Sequence, residues 1–424
     1  MARFIINGRR KIGGVFQPAG NKNAALPMLA ACLLTDAELE LRNVPRIEDV
    51  VTMLAILAEL GVSVNQNGHT VRLCARGVRK RRLSRELCHK VRSSILFAGP
   101  LAARHGRAVI YPPGGDVIGR RRLDTHLLGL RALGIEITGG EHFTFRRQTL
   151  HGADILLDEA SVTATENILM AAVLAPGATT LFNAACEPHI QDLGSLLIKM
   201  GARITGLGTN LLRVEGVESL HGTVHDVAPD HIEIGSFLAA AAVTGGDLTI
   251  SPISRHDVVP ILHPFQTLGM GLALENEGLK LVARRRPRVR SAPGLAVPKI
   301  EDGPWPNFPS DLMSVAIVAG TQAHGTLLFF EKMFESRMYF VDRLIDMGAR
   351  LVPCDPHRVV VIGPASLHAI PVSSPDIRAG MALLIAALCA KGTSVINNAE
   401  VIDRGYERVE ERLRALGADI VRAP

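Results

Sequence analysis

At 424 residues the chain outgrows one ordinary hydrophobic core, and about 150 residues per domain gives two or three domains. A composition that is 47% hydrophobic and 21% charged argues against disorder, and 4% aromatics with one tryptophan argue against a base-stacking platform for single-stranded nucleic acid. The net charge of +6 rests on arginines that outnumber lysines about four to one, which suits two-point recognition of carboxylate or phosphate.

In chain order, the N-terminal MARFIINGRR has no apolar segment behind a basic start and reads as no signal peptide. A buried helix is predicted over 23–34, and the phrase LAELGVSVNQNGHTVRL then ends a second helix at Gly61. Two alternating strands follow, joined at Gln66-Asn67-Gly68. The phrase returns as LRALGIEITGGEHFTF at Gly134, LIKMGARITGLGTNLLRV at Gly201 and FQTLGMGLALENEGLKLV at Gly269, then as LIDMGARLVPCDPHRVVV at Gly348 and LRALGADIVRA at Gly417. These glycines recur roughly every 70 residues, the signature of a repeat architecture. Further apolar helices are predicted over 165–174, 232–242, 311–319 and 376–390; they are too apolar for a surface, so helices lie inside and sheets outside. The longest apolar runs span about ten to twelve residues, short of a membrane crossing. The cysteines Cys32, Cys74, Cys88, Cys186, Cys354 and Cys389 are scattered without metal-ligand spacing, and read as reduced thiols of a cytoplasmic protein.

Several stretches could carry chemistry. In PAGNKNAAL, Lys22 and Asn23 stand where a turn enters an apolar helix, an end that attracts anions; a capped helix with a solvated lysine explains the same residues. The loop 112–124, PPGGDVIGRRRLD, joins three glycines to Asp116 and an arginine run, and so offers proton donation and anion recognition, or only a basic loop. In WPNFPSD two prolines stiffen the approach to Asp311, which as a helix-capping aspartate needs no catalytic role. Glu335 with Arg337, Asp376 with Arg378 and Asp403 with Arg404 stand at loop-to-helix junctions, where structural ion pairs are the first reading. The basic runs 79–82 and 284–290 read as solvated turns.

Long phrases tie these signals together: GNKNAALPMLAACLL, RNVPRIEDV, VRSSILFAGPLAAR, ENILMAAVLAPGATTLFNAACEPHIQDL, PDHIEIGSFLAAAAVTGGDL, FPSDLMSV and IDRGYERVEERLRALGADI. With them the chain resembles, from residue 1 to its C-terminus, the enolpyruvyl transferases of the UDP-N-acetylglucosamine 1-carboxyvinyltransferase family. The resemblance implies a two-domain inside-out α/β barrel of six helix-strand repeats. One domain would span 22–229 with a catalytic loop near 112–124, the other 1–21 plus 230–424, and the active site would lie in the cleft between them. It implies transfer of the enolpyruvyl group of phosphoenolpyruvate, a co-substrate, to the 3-hydroxyl of UDP-N-acetylglucosamine, the first committed step of peptidoglycan precursor synthesis. No cofactor, metal, nucleic acid or membrane partner is implied.

Carried over residue by residue, the resemblance places Lys22, Arg92, Arg121 and Arg404 around phosphoenolpyruvate or the leaving phosphate, and Asn23 on the sugar. Arg121, Arg122, Leu123, Asp124 and Thr125, with Ser161, Val162 and Thr163, match segments that hold the uridine diphosphate. Asp311 matches the sugar-contacting base, Met333 a main-chain contact to the nucleotide sugar, and Arg337 and Asp376 positions near the reacting centre. Catalysis would fall to Asp116, Asp311, Lys22 and Arg404. Asp116 stands where most members have cysteine, which implies a carboxyl general acid and resistance to fosfomycin, an alkylator of that thiol. Further departures are Glu159 for lysine, His231 for arginine, and Ile377-Arg378-Ala379-Gly380 for leucine-arginine-alanine-serine. They leave open a paralogue acting on another uridine nucleotide, and a weakly catalytic UDP-sugar-binding regulator.

Overall fold

The computed structural model describes residues 2–115, 119, 122–275, 278–282, 287–291 and 298–424. They fall into two compact units, one holding 20–115 and 122–228, the other 2–19 and 229–424. Each has its own apolar core.

The repeat glycines explain the local folding. Gly61, Gly134, Gly201, Gly269, Gly348 and Gly417 all have φ between 84° and 104°, the left-handed conformation that ends a helix and turns the chain into the next strand. In the first unit, the helix Glu48–Leu60 stops at Gly61 and passes into strands Ser63–Asn67 and Thr70–Cys74. Those strands pair antiparallel with each other, and Thr70–Cys74 pairs with Leu39–Arg42. Strand Val224–Asp226 completes the sheet by pairing parallel with Leu39–Arg42. The same order, one parallel and two antiparallel pairings, recurs in the sheet of Asp154–Leu156, Ala178–Phe182, Leu211–Glu215 and Arg203–Thr205. The middle sheet has three strands, and its fourth place is taken by a single bridge from Arg82 to Val109. The basic run at 79–82 is exposed as expected, but its backbone is tied to the sheet rather than turning freely: Val109 donates to the Arg81 carbonyl at 2.8 Å, and Leu83 donates back to Val109 at 3.0 Å. Its charged side chains guard a sheet edge against pairing with another chain.

The second unit repeats the plan with sheets led by parallel pairs Gly14–Phe16 with Leu248–Ile250, Lys299–Glu301 with Gly325–Phe330, and Pro371–Ser373 with Thr393–Asn397. Strand Arg3–Asn7 lies between Thr393–Asn397 and Asp419–Ala423 and pairs antiparallel with both. Strand Gly14–Phe16 and its parallel partner enclose the helix His231–Thr244, so in chain order the first unit is an insertion inside a repeat of the second.

Each sheet backs an inner helix. In the first unit these are Lys22–Ala31, Ala98–His105 and Val162–Ala172; in the second, His231–Thr244, Ser310–Gly320 and Ile377–Cys389. The sequence predicts five of the six. The sixth, Ala98–His105, opens with Gly99 and Pro100, residues that disguise a helix. Gly99 has a packing reason: a Cβ there would lie 2.3 Å from the Asn167 carbonyl oxygen of the neighbouring helix. Gly235 does the same service against Leu312.

Candidate active site

In the second unit the three inner helices pack on one another and begin at one end. His231 opens the first, Asp311 is the second residue of the next, and Arg378 is the second residue of the third. Proximity follows from the bonds. Arg378 donates through Nε at 2.9 Å and Nη2 at 2.7 Å to Asp311 Oδ2, while Arg337 Nη2 lies 2.5 Å from Asp311 Oδ1. Asp376 caps the third helix, accepting from the backbone amides of Arg378 and Ala379 at 2.8 and 3.0 Å, which fixes the turn that aims Arg378. No side-chain cap marks the helix that carries Asp311. Asp311 is thus no helix-capping aspartate: its carboxylate is spent on two guanidinium groups.

The electrostatics of this cluster are one-sided. Burial works against the Asp311 charge, but Arg378 and Arg337 outweigh it and hold the carboxyl well below the usual range. His231 is buried and pushed down to about 4 by burial, so it is neutral, with its ring 5.7 Å from that of Trp305. Arg378 also lies 5.4 Å over the Tyr406 ring, whose hydroxyl meets Ser236 Oγ at 2.8 Å. Two donors, Arg337 Nε and Arg378 Nη1, are buried without a hydrogen-bond partner among the described residues. Guanidinium donors left over beside three helix N-termini could hold an anion.

The first unit gathers a second set. Lys22, the first residue of its helix, is buried and paired with Asp49 at 2.8 Å, so it is not a solvated lysine. Asn21 is the N-cap there and accepts from the Asn23 and Ala24 amides. Arg92 donates to the Arg122 carbonyl at 3.0 Å. Arg122 also pairs with Asp124 at 2.5 Å in an exposed contact of small worth. Glu159 sits among these groups. Burial and Asp158 raise its carboxyl pKa while Arg122 and Arg92 oppose them. The net shift is upward, so the two arginines only partly offset the cost of an ionised carboxylate at this position.

Thr163 and Thr125 are oriented from behind. Asn167 Oδ1 accepts from the Gly99 amide at 2.7 Å, so its Nδ2 is the donor to the Ile95 carbonyl at 3.0 Å and to His126 Nδ1 at 3.1 Å. His126, pushed down to about 3 by burial, is neutral and therefore carries its proton on Nε2, which donates to Thr163 Oγ1 at 3.1 Å. The Thr163 hydroxyl proton is left for another acceptor. Thr125 Oγ1 donates to Asp158 at 2.6 Å.

Of the residues expected from sequence, the structure brings Asp311 and Arg337 into contact, and Asp376 next to them through its cap. Arg92 meets Arg122, and Leu123, Asp124, Ser161 and Val162 stand at the starts of the helices Asp124–Ala132 and Val162–Ala172. Arg404 ends the short helix Ala399–Arg404, and Met333 is 40% exposed in the segment after strand Gly325–Phe330. Asp403 is taken by a bidentate pair with Arg422, a structural ion pair. Asp116 and Arg121 lie outside the described residues. The sequence pairs Arg378 with Asp376 as a structural ion pair, but Asp376 takes only its backbone amide; the guanidinium goes to Asp311, 67 residues away, a pairing with no sequence signal. The glycine after it is accommodated, since a Cβ on Gly380 would fall 2.0 Å from Ser374 Oγ.

The sequence pattern described as EPSP synthase (3-phosphoshikimate 1-carboxyvinyltransferase) matches residues 6–413. A UDP-N-acetylglucosamine 1-carboxyvinyltransferase of Bradyrhizobium diazoefficiens is 50% identical over 423 residues, covering 100% of this chain and 98% of the relative. One of the same name from Treponema pallidum is 51% identical, covering 99% of both chains. Among solved structures, the enolpyruvyl transferase NikO from Streptomyces tendae superposes with a TM-score of 0.89 at 23% identity, covering 100% of this chain and 99% of that one. An EPSP synthase from Acinetobacter baumannii gives a TM-score of 0.78 at 20% identity over 100% of each chain. An inside-out repeat fold, a guanidinium-clamped aspartate and these full-length likenesses together make the chain a member of the EPSP synthase family of enolpyruvyl transferases.

Proposed function

We propose that the chain transfers the enolpyruvyl group of phosphoenolpyruvate to the 3-hydroxyl of UDP-N-acetylglucosamine, releasing phosphate, as the first committed step of peptidoglycan precursor synthesis. The observation that carries this reading is the Asp311 carboxylate held between Arg337 and Arg378, each with a buried donor left over, in a chain half identical to relatives of that name. Phosphoenolpyruvate enters as a co-substrate. Six cysteines without a disulfide among them fit a cytoplasmic setting.

The chemistry needs three things: a proton for the methylene carbon, a base for the sugar hydroxyl, and cations for carboxylate and phosphate. Protonation makes the neighbouring carbon electrophilic, and the hydroxyl oxygen adds there to give a tetrahedral intermediate. Loss of a methyl proton and of phosphate restores the double bond. Asp116 is assigned the first proton, and Asp311 the hydroxyl proton. Lys22, Arg92, Arg121 and Arg404 are assigned to the anionic groups, and Asn23 to the sugar.

The free geometry of Asp311 sets a condition on this assignment. A carboxylate with two guanidinium partners is a weak base. An anion that engages Arg337 Nε and Arg378 Nη1 shares the positive charge, weakens the clamp and strengthens the base, so Asp311 acts only when the anionic substrate is in place. Asp311→Asn tests the assignment. Loss of general-base catalysis lowers kcat by about two to four orders of magnitude while UDP-N-acetylglucosamine still binds. Turnover within a few-fold of wild type would remove Asp311 from the role.

A further inference from the structure

Behind Asp311 lies a second acidic group that the mechanism does not use. Asp302 follows strand Lys299–Glu301 and Glu331 follows Gly325–Phe330, so the parallel pairing of those strands sets the two side by side. Both are buried, at 1% and 0% exposure. Their oxygens can be accounted for one at a time. Asp302 Oδ1 accepts from the Lys332 amide at 2.5 Å. Glu331 Oε1 accepts from Ser310 Oγ at 2.8 Å and from the Phe334 amide at 3.2 Å. Asp302 Oδ2 and Glu331 Oε2 are left, both buried and without a donor among the described residues, and the parallel register of Glu301 with Phe330 puts the two carboxyl groups at adjacent positions. Two ionised carboxylates cannot hold that arrangement; one proton between them satisfies both oxygens and halves the charge.

Placement gives this pair a task. Glu331 Oε1 holds Ser310, the first residue of the helix in which Asp311 is second, and the same oxygen holds Phe334. The Arg337 guanidinium lies 5.3 Å over the Phe334 ring and 2.5 Å from Asp311. One carboxyl oxygen therefore ties together the two segments that bring Asp311 and Arg337 into contact. We propose that Asp302 and Glu331 share one proton, and that this neutralised pair is a positioning element that sets Asp311 against Arg337. The positioning half of the proposal rests on the assignment of Asp311 to the reacting centre; the shared proton does not.

The charged and titratable groups facing the pair are few. Arg337 favours ionisation of Glu331, whereas burial, first, and Asp302, second, push the Glu331 carboxyl up to about 9. Lys332 contributes its backbone amide, with its ammonium 3.1 Å from Glu301, and His357 Nδ1 donates to the Glu331 carbonyl at 2.7 Å. Deprotonation of the pair puts two negative charges behind Ser310, loosening the start of the helix and the Asp311–Arg337 contact.

Glu331→Gln tests this directly, because its amide nitrogen donates permanently to Asp302 Oδ2 while its oxygen keeps Ser310 and Phe334. Infrared difference spectra at neutral pH should show a protonated carboxyl band in the wild type that is absent from the variant. In turnover, the wild-type kcat should fall above about pH 9 with the last proton of the pair, whereas Glu331→Gln keeps its neutral-pH kcat and flattens that limb. Stability carries the same sign. Between about pH 5 and 9 the folded wild type keeps a proton that the unfolded chain releases, so its stability declines with rising pH, and the Tm of Glu331→Gln gains on it across that window. Glu331→Ala, which drops both bonds, should lose roughly tenfold in kcat. If Glu331→Gln fails to fold, Asp302→Asn makes the same test, with its amide donating to Glu331 Oε2. Identical infrared spectra and a pH-independent Tm difference would overturn the shared proton. An unchanged alkaline limb in Glu331→Gln would overturn the positioning role. Full activity of Asp311→Asn would instead fault the functional assignment and leave the infrared result standing.

Discussion

Arg378→Lys separates geometry from charge. The wild-type side chain makes two bonds to Asp311 Oδ2, at 2.9 and 2.7 Å, and keeps Nη1 as an unused buried donor. Lysine preserves the unit charge, and with it most of a Coulomb attraction worth about 4 kcal/mol at 4 Å and an effective dielectric near 20. It cannot preserve the fork. One charge-assisted bond to Asp311 goes, together with the donor reserved for substrate, and each such bond is worth about 1.5–3 kcal/mol. Of the two, only the donor reserved for substrate bears directly on phosphoenolpyruvate, and its loss alone is expected to cost roughly 10- to 150-fold in kcat/KM for that substrate. It is read from initial rates of phosphate release with phosphoenolpyruvate varied at saturating UDP-N-acetylglucosamine. Thermal unfolding on the same samples shows that the variant is folded. Wild-type kcat/KM for phosphoenolpyruvate, or a defect confined to the KM for the nucleotide sugar, would refute the reading of Nη1 as an anion donor.

Other expectations follow, the first from the family resemblance and the rest from the geometry. Asp116→Asn should abolish turnover while leaving UDP-N-acetylglucosamine binding in place, and prolonged exposure of the wild type to fosfomycin should leave activity intact with no covalent label; normal turnover of the variant or rapid inactivation would place the acid elsewhere. Gly99→Ala pushes a Cβ to 2.3 Å from the Asn167 carbonyl oxygen, so it should destabilise the fold by about 1–3 kcal/mol despite the better helix propensity of alanine. Equal denaturation midpoints would show that the two helices separate freely. His126, neutral when folded with its pKa near 3, contributes stability that is complete above pH 6.5 and lost as the pH falls toward 3. At pH 5 that loss is about 2 kcal/mol relative to His126→Gln, checked as the change in their stability difference between pH 7 and 5. A constant difference would mean that His126 titrates in the fold as it does in the unfolded chain.

The repeat was legible because its signal is local. A glycine with positive φ after a helix, followed by an alternating strand, needs no knowledge of the rest of the chain, and Gly61 to Gly417 state it six times. The inner helices were legible from apolarity alone, except Ala98–His105, which is short and carries glycine and proline for close approach to Asn167. Pairings across repeats were not legible. Asp311 and Arg378 stand 67 residues apart, and only the alignment of two helix starts brings them together. The same holds for Lys22 with Asp49 and for Asp302 with Glu331, where parallel strands rather than spacing decide which carboxyls meet. In the run 79–82 the charges face solvent as the sequence suggests, while the backbone bridge from Arg82 to Val109 at a sheet edge has no signal in the side chains.

The central claim is the identity of the acceptor. The direct measurement is phosphate release from phosphoenolpyruvate by the full chain, with UDP-N-acetylglucosamine compared against UMP and shikimate 3-phosphate at equal concentration. Release that requires UDP-N-acetylglucosamine and is far slower with the other two is the predicted result. Equal or faster release with UMP or shikimate 3-phosphate, or binding of the nucleotide sugar without any release, would contradict it.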